Sequence, residues 1–151
     1  MTDLQIRPVD AGSDADLRAW QHVHNTIIPT HLLTLDEIRE RAARNRLTLA
    51  HLGPDLIGCA TVRPPTEDTP AATVIARILP PHRRQGHGTT LYRHELAHAR
   101  RTGAPVIDTV VLATNPDGLH FAHHHGFTET DRYTLPGDTV PYVDLRLTEA
   151  T

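Results

Sequence analysis

The chain of 151 residues contains no lysine, so all 15 of its basic side chains are arginine. A Walker A phosphate loop is therefore excluded, because its pattern G-x-x-x-x-G-K-[ST] requires a lysine. Cys59 is the single cysteine, which excludes a disulfide framework within the chain and suits a reducing compartment. We expect a cytoplasmic protein.

Long apolar runs are missing as well. Residues 1–20 contain no stretch typical of a signal peptide, and no segment approaches the length of a membrane span. The net charge of −3 does not indicate the basic surface that is typical of nucleic-acid-binding proteins. The length predicts one domain over residues 1–151 with its own core. Abundant Ala, Arg and Pro are typical of a GC-rich bacterial genome.

Hydrophobic spacing and turn residues divide the chain into strands and helices. Thr34 and Glu37 form a capping box that predicts a helix start. The turn at residues 53–55 predicts a hairpin, whereas residues 64–70 are expected to be a loop. This order predicts an α/β fold with a sheet of mixed direction. The predicted strands are residues 4–8, 47–52, 56–62, 72–79, 106–113, 127–135 and 140–147, and the predicted helices are residues 14–28, 35–44, 88–102 and 117–125.

Residues 73–88 (TVIARILPPHRRQGHG) combine a β-branched strand, a proline-containing loop and a glycine turn, and a helix follows directly. Gly86 and Gly88 lack a Cβ, so the backbone can approach a ligand closely there. The turn leaves backbone N–H groups unpaired at the positive end of the helix dipole. Arg83 and Arg84 add positive charge, and the segment is therefore a candidate polyphosphate site.

The spacing of this loop distinguishes it from other phosphate loops. A Rossmann turn requires G-x-G-x-x-G, and only G-x-G is present. Arg83-x-x-Gly86-x-Gly88 resembles the pyrophosphate loop of the GCN5-related N-acetyltransferases (GNAT), which bind acetyl-CoA. An arginine-rich surface turn is the alternative interpretation of this spacing alone.

A second motif, residues 115–127 (NPDGLHFAHHHGF), supports the same resemblance. It follows a predicted strand, and Asn115, Phe121, Gly126 and Phe127 stand where the family pattern expects them. Asp117 is a candidate N-cap or first-turn anion, and Gly126 is a candidate left-handed helix stop. The resemblance covers essentially the whole chain and implies the GNAT fold, a mixed central sheet flanked by helices.

The resemblance also implies acetyl transfer from acetyl-CoA to an amine by direct attack. Backbone N–H groups of residues 84–89 are expected to anchor the cofactor. The thioester is expected between the strand ending at Leu79 and the strand ending at Ala113, where free N–H groups polarise its carbonyl. The implied cofactor-binding residues are Ile78, Leu79, Arg83, Arg84, Gln85, Gly86, His87, Gly88, Thr89, Asn115 and Phe121.

The catalytic groups are not defined by the resemblance. Many family members carry a tyrosine after the equivalent of Phe121, often assigned as the acid that reprotonates the CoA thiolate, and this chain has Ala122 there. Tyr133, Tyr142 or a histidine of residues 120–125 are candidate replacements, with water as a further alternative. An acyl-CoA-binding module without efficient turnover is the alternative function.

The acidic loop offers a candidate general base. Glu67 or Asp68 would lie near an acceptor if the loop packs beside the central strand, and a solvated loop is the alternative. The net charge and this loop favour a cationic acceptor by electrostatic steering, although salt screens such exposed charges.

A zinc hydrolase is the rival from another class of chemistry, because residues 94–98 match H-E-x-x-H. The apolar stripe of the predicted helix is formed by Leu91, Tyr92, Leu96 and Ala99. His94 and His98 lie off this stripe, whereas a zinc hydrolase buries its histidines toward a cleft. His120 and His124 are spaced to chelate a metal, but a solvated helix face is the favoured interpretation. We therefore assign no metal ligand.

Two further residues are expected in the core. Cys59 lies in an apolar strand and is expected to be a small core residue rather than an acyl-accepting nucleophile. Trp20 is expected in the core too.

The acceptor is expected to be a small-molecule amine rather than a protein, with no nucleic acid or membrane partner. The enzyme is expected to be a monomer or a homodimer. The chain has no lysine to acetylate on itself, so its N-terminus is its only amine.

Overall fold

The computed structural model describes residues 3–148. Its strands are β1 (Leu4–Pro8), β2 (Arg46–Leu52), β3 (Asp55–Arg63), β4 (Ala71–Ile78), β5 (Val106–Leu112), β6 (Phe127–Tyr133) and β7 (Tyr142–Leu147). Its helices are α1 (Asp14–Ile27), α2 (Leu35–Arg44), α3 (His87–Arg101) and α4 (Pro116–His124), with a 3₁₀ turn at Pro80–His82. The described strands form one mixed sheet in the order β1-β2-β3-β4-β5-β7-β6. This is the predicted α/β architecture.

Side-chain caps start α1, α2 and α4. Ser13 accepts a hydrogen bond from the Asp16 N–H at the start of α1 (3.2 Å), and both halves of the Thr34–Glu37 capping box are present at α2. Asn115 caps α4 by accepting from the Gly118 N–H (3.1 Å). Of the two predicted roles for Asp117, the structure shows the first-turn anion.

The helices pack on the two faces of the sheet. The core on the α1–α2 side contains Trp20 and Cys59, both fully buried as predicted. Trp20 also donates its indole N–H to the Ala60 carbonyl at 3.2 Å. The core on the α3–α4 side is built around Val74, Tyr92 and Phe127. Side chains on the two faces of the sheet therefore pack into two separate hydrophobic cores.

A carboxylate interrupts the predicted apolar stripe of α3. Glu95 is completely buried and accepts a hydrogen bond from the Thr48 hydroxyl at 2.6 Å. Arg46 lies 3.4 Å from the same carboxylate, and the His94 Nδ1 lies at 3.0 Å. The stripe predicted from Leu91, Tyr92, Leu96 and Ala99 missed this position, because a lone glutamate on a helix normally indicates a solvated face.

The parallel strands β4 and β5 pair over only part of their length. Their register runs from Ala71↔Val106 to Thr73↔Asp108 and then stops. Both strands continue to Ile78 and Leu112 without pairing further with each other, so they splay apart. This opening positions the candidate site.

Candidate functional site

A cavity of about 390 Å³ occupies the α3–α4 side of the β4–β5 splay. Its walls come from residues 74–78 of β4, residues 109–112 of β5, the start of α3 and one face of α4. Where two parallel strands separate, their unpaired backbone groups are available to a ligand. The cavity is lined by most of the predicted cofactor residues.

Alternation along β4 determines which backbone groups are free. The Leu79 N–H donates to the Ile57 carbonyl at 2.8 Å, so the odd-numbered residues of β4 face β3. Ala76 and Ile78 consequently direct their N–H and C=O groups toward the splay. Both lie beyond Thr73, the last β4 residue that pairs with β5. The Leu79 N–H is therefore already bonded, and the free N–H groups expected near the end of this strand are those of Ala76 and Ile78.

The glycine turn shapes the other end of the cavity. Gly86 precedes α3 with φ of 86°, and Arg84 adopts φ of 63°. A left-handed conformation costs a residue with a Cβ roughly 1–2 kcal/mol, so glycine suits this cap. The N–H groups of His87, Gly88 and Thr89 are in the first turn of α3 and have no partner within the helix. They form a candidate anion-binding terminus.

The two loop arginines are partly neutralised. Arg83 donates its Nε–H to the Ile78 carbonyl (2.8 Å) and contacts the Asp117 carboxylate at 3.2 Å. Arg84 is largely exposed and lies 3.5 Å from the same carboxylate. Asp117 therefore offsets part of the arginine charge that the sequence placed at this loop.

Most of the predicted cofactor residues line this cavity. Phe121 packs against the start of α3, where a Cβ added at Gly88 would lie 3.4 Å from its ring. The Asn115 side chain lines the wall but is committed to capping α4. Leu79, Gln85 and His87 do not line the cavity, whereas Ile78, Arg83, Arg84, Gly86, Gly88, Thr89, Asn115 and Phe121 do.

The residue that stands where many family members have a tyrosine lies in the same cavity. Ala122 is buried and lines it together with Tyr92 and His125. Tyr92 packs edge-on against Phe121 (centroids 5.8 Å apart) and lies 4.9 Å from the His125 ring. Burial raises the pKa of Tyr92 and lowers the pKa of His125. Sequence analysis assigned Tyr92 only to the apolar stripe, so it missed this phenol as a cavity residue.

A second cavity of about 230 Å³ meets the first at the splay. The two share Ile28, Arg77 and Leu112 among their lining residues. The second cavity is walled by the end of α1, α2 and the β6–β7 hairpin. Its polar lining residues are His24, His31, Arg41, Arg63, Arg77, Tyr133 and Tyr142.

Tyr133 and Tyr142 belong to this second cavity. Their rings stack with centroids 6.0 Å apart, and the Tyr133 hydroxyl donates to Asp144 at 3.0 Å. Burial and Asp144 raise the pKa of Tyr133 to about 12. Its proton is therefore held by a carboxylate rather than offered to a thiolate.

Glu67 does not reach either cavity. It is exposed in a turn closed by the hydrogen bond from the Thr66 N–H to the Thr69 carbonyl (2.8 Å). It lines neither cavity, and the solvated-loop alternative describes it.

His24 is a buried group with a defined tautomer. Asn25 Oδ1 accepts from the Leu33 N–H (3.0 Å), and its amide donates to the Leu33 carbonyl (3.1 Å), which fixes the amide orientation. The His24 Nδ1, at 2.9 Å, must then donate to Asn25 Oδ1. Burial, Arg77 and Arg41 lower the pKa of His24 to about 4. A neutral imidazole with its lone pair on Nε2 therefore lines the second cavity.

The zinc pattern is not assembled into a site. Among residues 3–148, no three His, Cys, Asp or Glu side chains come together as metal ligands. Glu95, the would-be base, is held by Thr48 and Arg46 inside the core. Separately, within the described segment no helix has both the length and the apolar character required to cross a membrane.

Comparison with solved structures shows the same fold at low identity. A provisionally assigned phosphinothricin N-acetyltransferase is 19% identical with a TM-score of 0.78, covering 97% of this chain and 100% of that one. The ribosomal-protein-S18-alanine N-acetyltransferase from Escherichia coli is 16% identical with a TM-score of 0.75 (96% and 93% covered). A GNAT acetyltransferase from Elizabethkingia anophelis with acetyl-CoA bound is 16% identical with a TM-score of 0.70 (95% and 97% covered).

Sequence comparison identifies the family. No curated protein matches the chain in a sequence search. The profile of the acetyltransferase (GNAT) family matches residues 13–127, which include both motifs and the splayed strands. The chain belongs to the GNAT family of acetyltransferases, whose co-substrate is acetyl-CoA.

Proposed function

We propose that this protein is a cytoplasmic N-acetyltransferase that transfers the acetyl group of acetyl-CoA directly to a primary amine in a ternary complex. The observation that carries this proposal is the meeting of two cavities at the β4–β5 splay. One cavity ends at an anion-binding helix terminus, and the other opens from the opposite face of the sheet. Direct attack requires both substrates at one point, and the walls that the two cavities share at the splay support this mechanism.

The reaction needs a polarised thioester and two proton transfers. The amine lone pair attacks the carbonyl carbon, a C–N bond forms, and the C–S bond breaks with its electrons leaving on sulfur. The N–H groups of Ala76 and Ile78 are the candidate donors to the carbonyl oxygen. Nε2 of His24 is the candidate base on the acceptor side. Tyr92 and His125 are the candidate acids on the thiol side.

A catalytically weak acyl-CoA-binding module is the second candidate function. It is favoured by Ala122, which offers no proton at the position of the usual tyrosine. The two functions share the cofactor site and differ only in turnover, so CoA release with a broad amine panel separates them.

Thermal shift with acetyl-CoA tests the cofactor site. A ligand at 100 times its Kd that binds only the folded state adds about 2.7 kcal/mol of stability. We expect acetyl-CoA and CoA to raise the melting temperature similarly and ATP and NAD to raise it less. An unchanged melting temperature at millimolar acetyl-CoA contradicts both candidate functions.

A further inference from the structure

Three arginines from different elements converge on the second cavity. Arg41 comes from α2, Arg63 from the end of β3 and Arg77 from near the end of β4. No aspartate or glutamate is among the residues that line this cavity. Its wall is therefore positively charged, although the whole chain carries a net charge of −3. Glu37 and Asp144 interact electrostatically with Arg41 and Arg63 but lie outside the lining.

These arginines differ from the paired arginines elsewhere. Arg7, Arg46 and Arg146, for example, each contact a carboxylate. Within residues 3–148, no carboxylate forms a salt bridge with Arg41, Arg63 or Arg77. Glu37, one turn before Arg41 on α2, has its carboxylate engaged by the Thr34 N–H at 3.0 Å.

The three charges also act on one another. Burial lowers the pKa of Arg77, and the charges of Arg63 and Arg41 lower it further. Burial and Arg63 likewise lower the pKa of Arg41. Like charges in a partly desolvated wall are unfavourable without a counter-charge. A bound carboxylate supplies that counter-charge, and its planar geometry is the one that guanidinium groups bind best.

We propose that the acceptor is a small amine that carries a carboxylate, such as an α-amino acid. Arg41, Arg63 and Arg77 bind the carboxylate, and the amine is directed toward the splay. This inference rests on the proposed N-acetyltransferase function. It replaces the cationic acceptor that the net charge predicted with an acceptor that carries a negative group. The reason is that the charge of the cavity wall is opposite in sign to the net charge of the chain.

The size of the cavity supports a small acceptor. Pockets for drug-sized ligands have volumes of roughly 300–1,000 Å³, and this cavity measures about 230 Å³. Apolar side chains, among them Ile75, Val110 and Leu135, and the stacked Tyr133–Tyr142 pair complete its wall. A carboxylate at the arginines and an apolar side chain along this wall fit the same ligand.

Binding of a carboxylate also affects the candidate base. The charges of Arg77, Arg41 and His31 help to keep His24 neutral, and Asn25 holds its Nδ1. A bound anion offsets these charges and makes Nε2 more basic when an acceptor is present. Overall, an ammonium acceptor and acetyl-CoA give the N-acetyl product, CoA thiol and one released proton.

The test compares each amino acid with its own α-amide, because the pair differs only in the carboxylate. CoA release is measured at saturating acetyl-CoA with L-methionine and L-leucine, their α-amides, and spermidine. Binding of the same compounds to the CoA complex is measured by calorimetry. We expect the acids to exceed their amides at least tenfold in kcat/KM or in affinity.

Substitution of the arginines is the second part of the test. We expect Arg41→Gln and Arg63→Gln to lower kcat/KM for the acids about ten- to a hundredfold, because each removes a hydrogen bond to a charged group. The same substitutions should reduce the preference for the acids over their amides. Arg44→Gln, an exposed arginine on α2 that pairs with Glu40, is the matched control and should keep the preference. Arg63→Glu should shift the preference toward spermidine.

The outcomes separate this inference from the proposed function. Absence of an acetyl-CoA thermal shift overturns the proposed function. If acetyl-CoA binds but the amides or spermidine equal the acids, or if no acid binds or reacts, the carboxylate inference is wrong. Equal effects of Arg41→Gln and Arg44→Gln also overturn it.

Discussion

Two glycines at opposite ends of α3 share a backbone conformation but differ in position. Gly86 has φ of 86° and borders the cofactor cavity, whereas Gly103 has φ of 82° and lies outside it. A Cβ at either residue would meet nothing within 4 Å. The pair therefore separates the cost of backbone strain from the loss of a ligand site.

We expect Gly86→Ala and Gly103→Ala to lower the free energy of unfolding by a similar amount, roughly 1–2 kcal/mol. Only Gly86→Ala should also weaken acetyl-CoA binding, by about tenfold or 1.4 kcal/mol, because it displaces the N–H groups that start α3. Urea unfolding and calorimetric titration measure the two effects. Equal acetyl-CoA affinity in both variants would show that the turn is only structural.

His24 should make stability depend on pH. Its pKa is about 4 in the folded protein against an ordinary 6.5, so the unfolded chain binds more protons between these values. Stability therefore falls as the pH is lowered from about 6.5 toward 4, by up to about 3 kcal/mol. Asp16, whose pKa Arg7 lowers to about 2, titrates mainly below this window.

Unfolding midpoints between pH 4.5 and 7 measure this effect. We expect His24→Gln to flatten the slope and His22→Gln, an exposed histidine on the same helix, to retain it. An unchanged slope in His24→Gln would contradict a buried neutral imidazole.

At the scale of elements, Glu95 joins α3 to β2. The Thr48 hydroxyl and Arg46 both belong to β2, so this buried carboxylate positions the helix whose N-terminus forms the cofactor site. Removing one partner of a buried ion pair leaves the other uncompensated.

We expect Glu95→Ala to destabilise the protein by about 3–5 kcal/mol. Glu40→Ala, which removes an exposed pair with Arg44, should change stability by about 0.5 kcal/mol or less. Urea unfolding compares them, and similar midpoints would show that the Glu95 network contributes little.

At the scale of the whole molecule, the splay connects the two faces of the sheet. Ala76 and Ile78 present unpaired N–H groups to it, while the Leu79 N–H is already bonded to Ile57. Acetyl-CoA should therefore slow amide exchange at Ala76 and Ile78 and leave Leu79 nearly unchanged. Residue-resolved hydrogen exchange tests this, and acetyl-CoA binding without protection at either residue would place the ligand elsewhere.

The sequence by itself determined the features that depend on neighbours in the chain. The capping box at Thr34, the turn after Leu52 and the glycine turn at Gly86 each need only a few consecutive residues, and all are present in the structure. Boundaries shifted slightly where a partner strand decides the end, as at β7, which begins at Tyr142 rather than residue 140.

Tertiary structure decided what depends on residues distant in the chain. The stop in β4–β5 pairing, the neutralisation of Arg83 by Asp117 and the burial of Glu95 each require a partner tens of residues away. The basic wall of the second cavity joins Arg41, Arg63 and Arg77 from three elements. A net charge sums over the whole chain, whereas a ligand responds to the charges within a few ångströms, and only the fold brings those together.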